Sequence, residues 1–165
     1  MGGDVGAERA AVALAELLDR AAITGVLHQY ADGMGSQDAS QVIDCFTDDA
    51  FIDYGFATVQ GRAEMEEFFG FGGSGKGPIG LDHTTSRMQI LPSISITLQG
   101  DEAEVRSKGL SAYGGWRDGE AIVVMRSLAY EDEVVRVGET WRIRRRIHHP
   151  GWQVELPAQS VPPVL

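Results

Sequence analysis

Asparagine is absent from this sequence of 165 residues, and cysteine occurs once, as Cys45. Without asparagine the chain has no acceptor for N-linked glycosylation. A single cysteine cannot form an internal disulfide, and its apolar neighbours on a predicted helix indicate a buried thiol. A reducing compartment fits this usage. No basic segment followed by an apolar one is evident at the N-terminus, so we expect a cytoplasmic protein.

Positive charge is also scarce. Lysine and arginine number 14 against 24 aspartate and glutamate residues, which gives a formal net charge of −10. Binding to phosphate backbones needs a positive face, so we expect no nucleic-acid partner. No apolar run approaches the roughly 18 residues of a membrane-spanning helix, so we expect no membrane partner either.

What remains is the composition of an ordinary globular protein, with 43% hydrophobic and 23% charged residues. This length predicts one domain with a core of its own. We place that domain at residues 1–165, with its core at about 15–153 and an extended C-terminal tail at 154–165.

The first part of the chain has helical periodicity. Residues 7–18 are rich in Ala, Leu and Glu and should continue into a helix on which Ile23, Tyr30 and Met34 share one face. Tyr30 thereby adds a phenol to an apolar face. A second short amphipathic helix, with Phe46 turned inward, should lead to a strand at 51–56 that carries Tyr54. The two phenols, Tyr30 and Tyr54, are thus predicted to share one interior.

After a short helix predicted at 61–69 and a glycine-rich loop at 70–80, the period of the pattern changes to two. Alternation and turn residues predict strands at 83–91, 93–99, 103–113, 120–137 and 141–149, with Pro92 separating the first two. Helices followed by a long antiparallel meander indicate the α+β class.

The order and spacing of several short motifs resemble those of the SnoaL-like branch of the nuclear-transport-factor-2-like superfamily, over about residues 15–153. These motifs are Tyr30, Asp38, Phe46-Thr47-Asp48-Asp49-Ala50, Asp53-Tyr54, Gly61-Arg62, His83-Thr84-Thr85-Ser86, Gly100-Asp101-Glu102-Ala103, Tyr130-Glu131-Asp132-Glu133, Gly138, Trp141-Arg142-Ile143 and Arg146. The resemblance implies a cone-shaped α+β barrel, in which N-terminal helices pack on a curved mixed or antiparallel sheet that encloses an apolar pocket. The family includes scytalone dehydratase, a bile-acid dehydratase and polyketide cyclases, and the resemblance implies that no metal or organic cofactor is needed.

The same resemblance suggests catalytic residues. His83 matches a histidine that dehydratase-like members use for acid–base chemistry, while Tyr30 and Tyr54 match hydrogen-bond donors. An imidazole can take up and return a proton near neutral pH. The aspartate that pairs with that histidine falls on Gly35, so the pair looks absent and strong-base chemistry is less favoured than gentler steps.

Residues of the last strand are further candidates. Strict alternation would place Arg145 on the side of Trp141 and Ile143, with Arg146 as a second candidate. The adjacent His148 and His149 face opposite sides and make a poor metal site, but one of them could lie at the pocket mouth. The substrate-binding candidates are Met34, Gly35, Ser107, Arg145, Arg146 and His149, and no metal ligands are predicted.

The resemblance, together with these residues, implies a cofactor-independent lyase, isomerase or cyclase of secondary metabolism. Its substrate would be a hydrophobic polycyclic or polyketide-like small molecule, changed by dehydration, isomerisation or cyclisation. Two alternatives stay open: a noncatalytic small-molecule-binding module of the same fold, favoured by the missing aspartate, and an interaction protein like the small subunit of an oxygenase. The apolar C-terminal tail leads us to expect a homodimer or homotrimer.

Overall fold

The computed structural model describes residues 3–70 and 79–161, and nine elements of these residues form one open sheet with helices against it. In chain order the elements are α1 (Gly3–Ser36), α2 (Ala39–Ile43), β1 (Phe46–Asp53), β2 (Thr58–Gln60), α3 (Gly61–Phe68), β3 (His83–Gln99), β4 (Glu102–Arg117), β5 (Glu120–Val137) and β6 (Thr140–Pro157).

The order across the sheet is β2-β1-β6-β5-β4-β3, parallel between β1 and β6 and antiparallel elsewhere. Among the described residues the edge strands β2 and β3 do not pair, so the sheet is not closed into a barrel. The α+β prediction is confirmed.

Helix α1 packs only its second half on the sheet. Ile23, Leu27 and Tyr30 are fully buried and join one core cluster with residues of β1, β5 and β6. Their spacing of three and four residues places them on one face of the helix. In the first half, side chains from residue 5 to residue 18 are exposed, and these include Leu14 and Leu17.

The polar corner after α1 determines where Tyr54 lies. The Asp38 carboxylate accepts a hydrogen bond from the backbone N–H of Gln41 at 3.0 Å and so caps α2. Strand β1 then begins at Phe46, earlier than the sequence predicted, because parallel pairing with β6 starts there. It ends at Asp53, and Tyr54 follows it at the rim of the core.

Strand β3 runs through Pro92 without a break, contrary to the predicted interruption. It accommodates the proline at a β-bulge between Ile90 and Ser93. A second bulge lies between Thr84 and Ser86, where β3 has one residue more than β4. Strands β3 and β4 approach each other closely beside this bulge. A Cβ on Gly115 would lie only 2.1 Å from the carbonyl oxygen of His83, so the position has room only for glycine.

Strand β6 contains a third bulge and extends further than predicted. Glu133 pairs with Arg145, whereas Val134 pairs with Ile143, so Arg144 is the extra residue. The strand continues to Pro157, and residues 154–157 therefore belong to the sheet rather than to a tail. Most of the predicted glycine-rich loop, residues 71–78, lies outside the described residues. Within the described part, no helix has the length and apolar character needed to cross a membrane.

Candidate functional site

A cavity of about 290 Å³ lies between the helices and the inner face of the sheet. Its apolar side is aromatic, with Tyr54, Phe56, Phe68 and Phe69 along its wall. Tyr54 stacks on Phe68 with ring centroids 5.1 Å apart. Such a wall suits a flat hydrophobic ligand, because aromatic faces provide large contact area and favour offset stacking.

Two buried phenols meet behind this wall. The hydroxyl oxygens of Tyr30 and Tyr54 are 2.8 Å apart, so one hydroxyl donates to the other. Tyr54 lines the cavity, whereas Tyr30 is fully buried behind it. Burial raises the pKa of both phenols well above the ordinary value of 10.0. Both therefore stay protonated at neutral pH, and when Tyr30 is the donor of their mutual hydrogen bond, the proton of the Tyr54 hydroxyl is available to another acceptor.

A buried ion pair holds these rings in place. Arg146 and Asp132 are fully buried and form two hydrogen bonds, from Nε and Nη2 of the guanidinium to the carboxylate oxygens, each of 2.7 Å. The guanidinium lies 4.1 Å from the ring centroids of both Tyr30 and Tyr130. Burial opposes the charge of Arg146, but Asp132 outweighs it, so the pKa of Arg146 lies above its usual range. This positive charge lowers the pKa of the neighbouring phenols and offsets part of the effect of burial.

Tyr130 adds a third phenol to the site, on β5. It lines the cavity, and its hydroxyl accepts a hydrogen bond from the Gln89 side-chain amide at 3.3 Å. Burial raises the pKa of Tyr130 well above its ordinary value, so this phenol is also a donor at neutral pH. Tyr54 and Tyr130 thus provide two O–H groups beside one apolar space.

His148 provides the imidazole of the cavity. Its ring lies 5.7 Å from the Tyr54 ring and 5.4 Å from the Tyr130 ring, measured between centroids. Its Nδ1 is 3.4 Å from the backbone carbonyl oxygen of Tyr54, and because a carbonyl only accepts, Nδ1 carries the proton in that contact. Burial lowers the pKa of His148 below 6.5, and the charges of Arg126 and Arg146 lower it further. At neutral pH the ring is neutral, with Nε2 free of a proton and able to act as a base.

The predicted catalytic residue His83 lies elsewhere. It is exposed at the start of β3 and is not among the residues that line the cavity. The bulge at Thr85 is the reason, because it inserts one residue into the alternation. Arg87 and Gln89 face the cavity, and beyond the bulge the inward position belongs to Thr84 instead of His83. A catalytic role for His83 stays a prediction that this geometry does not favour.

The bulge at Arg144 has the same effect on β6. The residues before it, Trp141 and Ile143, are buried, and after it Arg146 takes the inward position while Arg145 is exposed. The expectation that Arg145 lies on the side of Trp141 and Ile143 is therefore wrong. The Arg145 guanidinium instead lies 3.5 Å from the Glu133 carboxylate.

Of the other predicted substrate-binding residues, some line the cavity and some do not. His149 is exposed, with Nε2 3.6 Å from a Glu131 carboxylate oxygen, so His148 is the histidine at the cavity. Met34 lines the cavity. Ser107 is buried beside Tyr130 on the neighbouring strand but does not line the cavity.

Gly35 does not face His83. A Cβ at Gly35 would meet the backbone of β3 between Arg87 and Gln89, at 3.6 to 3.9 Å. Met88, in the middle of that stretch, is five residues from His83, which is about 16 Å along a strand. The family position that falls on Gly35 therefore provides no partner for His83 in this chain.

Metal-binding groups do not converge. Among residues 3–70 and 79–161, no three His, Cys, Asp or Glu side chains lie together in a way that could hold a metal ion. The predicted buried thiol is confirmed, since Cys45 is 1% exposed and unpaired by any disulfide. Burial raises the pKa of Cys45 to about 12, so it is an unreactive thiol.

Sequence reasoning missed most of the polar residues of the cavity, among them Arg87, Gln89, Arg126 and Tyr130. Tyr130 had a usable signal. It alternates with Leu128, Asp132 and Val134 on β5, and all four side chains are buried. Arg126 lies on the same alternation, between Val124 and Leu128, but an arginine in an alternating strand is usually on the solvent side, so the pattern gave no reason to select it.

Comparison with known proteins shows which structures and which family this chain resembles. No curated protein matches it. The fold resembles a candidate scytalone dehydratase from Novosphingobium aromaticivorans, with 19% identity, coverage of 90% of this chain and 95% of that one, and a TM-score of 0.71. A hexachlorocyclohexane dehydrochlorinase of type 2 gives 14% identity, coverage of 91% and 97%, and a TM-score of 0.73. A candidate aromatic ring hydroxylase from N. aromaticivorans gives 25% identity, coverage of 85% and 94%, and a TM-score of 0.67. The SnoaL-like domain family matches residues 15–147, and the chain therefore belongs to the SnoaL-like family.

Proposed function

We propose that this protein is a lyase or isomerase that removes a proton next to a carbonyl group of a hydrophobic, polycyclic small molecule. The observation that carries the proposal is a neutral imidazole beside two protonated phenols at one apolar cavity. Similarity to structures named for dehydration and dehydrochlorination supports this class of chemistry.

The chemistry follows from the protonation states. His148 Nε2 takes the proton from the carbon next to the carbonyl, and the electron pair of the broken C–H bond moves onto the carbonyl oxygen. Tyr54 or Tyr130 donates a hydrogen bond to that oxygen as its negative charge develops. In a dehydration, the C–O bond on the next carbon then breaks, and the leaving hydroxide takes the proton from His148 as water. Arg146 touches none of these atoms and acts by holding Tyr30 and Tyr130.

The missing carboxylate limits the strength of the base. The described residues that line the cavity include no aspartate or glutamate, so none of them raises the basicity of His148 through a negative charge. This favours substrates whose proton is already acidic, such as ketones with an extended ring system. The same observation favours the second candidate function, a noncatalytic binder of hydrophobic molecules.

Exchange of the α protons of α-tetralone for deuterium, followed by proton NMR, separates these functions without knowledge of the natural substrate. We expect catalysed exchange by the wild-type protein and a loss of about 10²-fold or more in His148→Gln, as is usual for removal of a general base. His149→Gln is the matched control, since its side chain is exposed on the same strand. Tyr54→Phe should slow exchange while tetralone still binds. Binding without any catalysed exchange would leave the noncatalytic function as the better account.

A further inference from the structure

The cavity is positively charged in a protein that is strongly negative. Two arginines, Arg87 and Arg126, line it, and among the described lining residues there is no aspartate or glutamate. The whole chain, in contrast, has 24 acidic and 14 basic residues. An arginine that lines a half-enclosed cavity attracts an anion into it, because its positive charge is less well solvated there than in bulk water.

Arg126 is the clearer of the two cations. It is half-buried on β5, and within the part of the chain that the structure describes no hydrogen bond or ion pair occupies its guanidinium. Most other arginines of the sheet are paired, such as Arg117 with Glu155 and Arg136 with Asp19. Arg87 lies two strands away at the same end of the cavity, with its guanidinium 5.8 Å from the Tyr113 ring centroid.

The cationic end lies further along β5 than the proton-transfer end and adjoins it, since the Gln89 amide donates to the Tyr130 hydroxyl and the charge of Arg126 lowers the pKa of His148. Cross-strand pairing places Arg126 beside Ser111, which is itself paired with Gln89, and places Tyr130 beside His148. Tyr130 and Arg126 are four residues apart on β5, which is roughly 13 Å along the strand. Leu128 lies between them on the cavity wall and is buried. The site therefore has a reactive end, an apolar middle and a cationic, hydrogen-bonding end.

We infer that the substrate is an amphipathic acid, with a hydrophobic ring body beside Tyr54 and His148 and a carboxylate at the opposite end, bound by Arg126 with Arg87 beside it. A guanidinium forms paired hydrogen bonds with a carboxylate, and Ser111 and Gln89 offer further donors. This inference rests on the proposed function, because it assumes that the cavity is the substrate site, and it names the class of substrate. A substrate carboxylate held at Arg126 would also fix which carbon atom of the substrate lies next to His148.

Calorimetric titration with two matched ligands tests the inference without turnover. Naphthylbutyrate and naphthylbutanol share the ring and chain and differ only in the carboxylate. We expect wild-type protein to bind the acid about tenfold or more tightly than the alcohol, which is the usual scale of a charge-assisted hydrogen bond. Arg126→Gln should abolish this preference and leave the affinity for the alcohol within about twofold.

Two further variants make the outcome decisive. Arg106→Gln removes the same charge from an outward position on β4, where the side chain is 79% exposed, and should leave both affinities unchanged. Arg126→Lys keeps the charge and should retain part of the preference. Equal binding of acid and alcohol by the wild-type protein, no binding of either, or equal loss of both in Arg126→Gln would each overturn the inference. His148→Gln should still prefer the acid while it loses proton exchange, so failure of catalysis and failure of acid binding give different results.

Discussion

Asp132→Asn should destabilise the fold severely, although the change replaces one oxygen by an NH2 group. The side chains of Asp132 and Arg146 are both 0% exposed and are joined by two hydrogen bonds of 2.7 Å. The variant leaves the guanidinium buried between two tyrosine rings with no opposite charge. Nη1 of Arg146 already lacks a hydrogen-bond partner among the described residues, so the hydrogen bonds of the guanidinium are those that it makes to Asp132.

The expected loss is about 3–5 kcal/mol in the free energy of unfolding, the usual cost of removing one partner from a buried ion pair. Domains of this kind are stable by about 5–15 kcal/mol, so the variant should lose a large part of its stability. Urea titration followed by circular dichroism gives this free energy directly.

Glu133→Gln is the matched control one residue along the chain. Glu133 is 42% exposed and pairs with Arg144 and Arg145 at 3.3 and 3.5 Å. An exposed pair contributes about 0–1 kcal/mol, so this control should stay near wild type. The double variant Asp132→Leu with Arg146→Met should be more stable than Asp132→Asn, because it removes both charges. Equal stabilities of Asp132→Asn and Glu133→Gln would refute the reasoning.

The remaining predictions concern pH, assembly and metals. Because the pKa of His148 is lowered from 6.5 in the folded state, the unfolded chain binds more protons just below pH 6.5. The unfolding free energy should therefore fall as the pH drops from 6.5 toward the folded-state pKa, and His148→Gln should remove this part of the pH dependence, whereas an unchanged slope would contradict the burial of the ring. The exposed Leu14 and Leu17 on α1 support the expected homodimer or homotrimer, and light scattering that shows only monomer at high micromolar concentration would refute it. Proton exchange should persist after exhaustive chelation, and activity that returns only when one metal is added would show that a metal is required.

The elements could be predicted because their signals are local. Helical spacing placed Tyr30 on the inward face of α1, and alternation in the predicted strand at 51–56 placed Tyr54 in the same interior, where the two hydroxyls are 2.8 Å apart. The limits of β5 followed from alternation between two turns, and Glu120–Val137 is the strand observed.

The cavity could not be predicted in the same way, because two β-bulges decide which side chains enter it. Thr85 and Arg144 each add one residue to a strand, and an added residue reverses the inward and outward positions on one side of it. On β3 the bulge makes Thr84 face the cavity in place of His83. On β6 the bulge makes Arg146 and His148 face inward. Neither bulge has a proline or glycine of its own. The nearest sequence signal is Gly115 on the partner strand, whose meaning depends on the pairing of β3 with β4.

The rate of α-proton exchange in His148→Gln compared with His83→Gln tests the central claim, that the cavity beside Tyr54 is the reaction site, most directly. Both variants remove one imidazole, and only the first removes it from the cavity. We predict that His148→Gln loses about 10²-fold or more of the catalysed rate, while His83→Gln keeps a rate close to that of the wild-type protein. The opposite order, with exchange abolished in His83→Gln and retained in His148→Gln, would contradict the account.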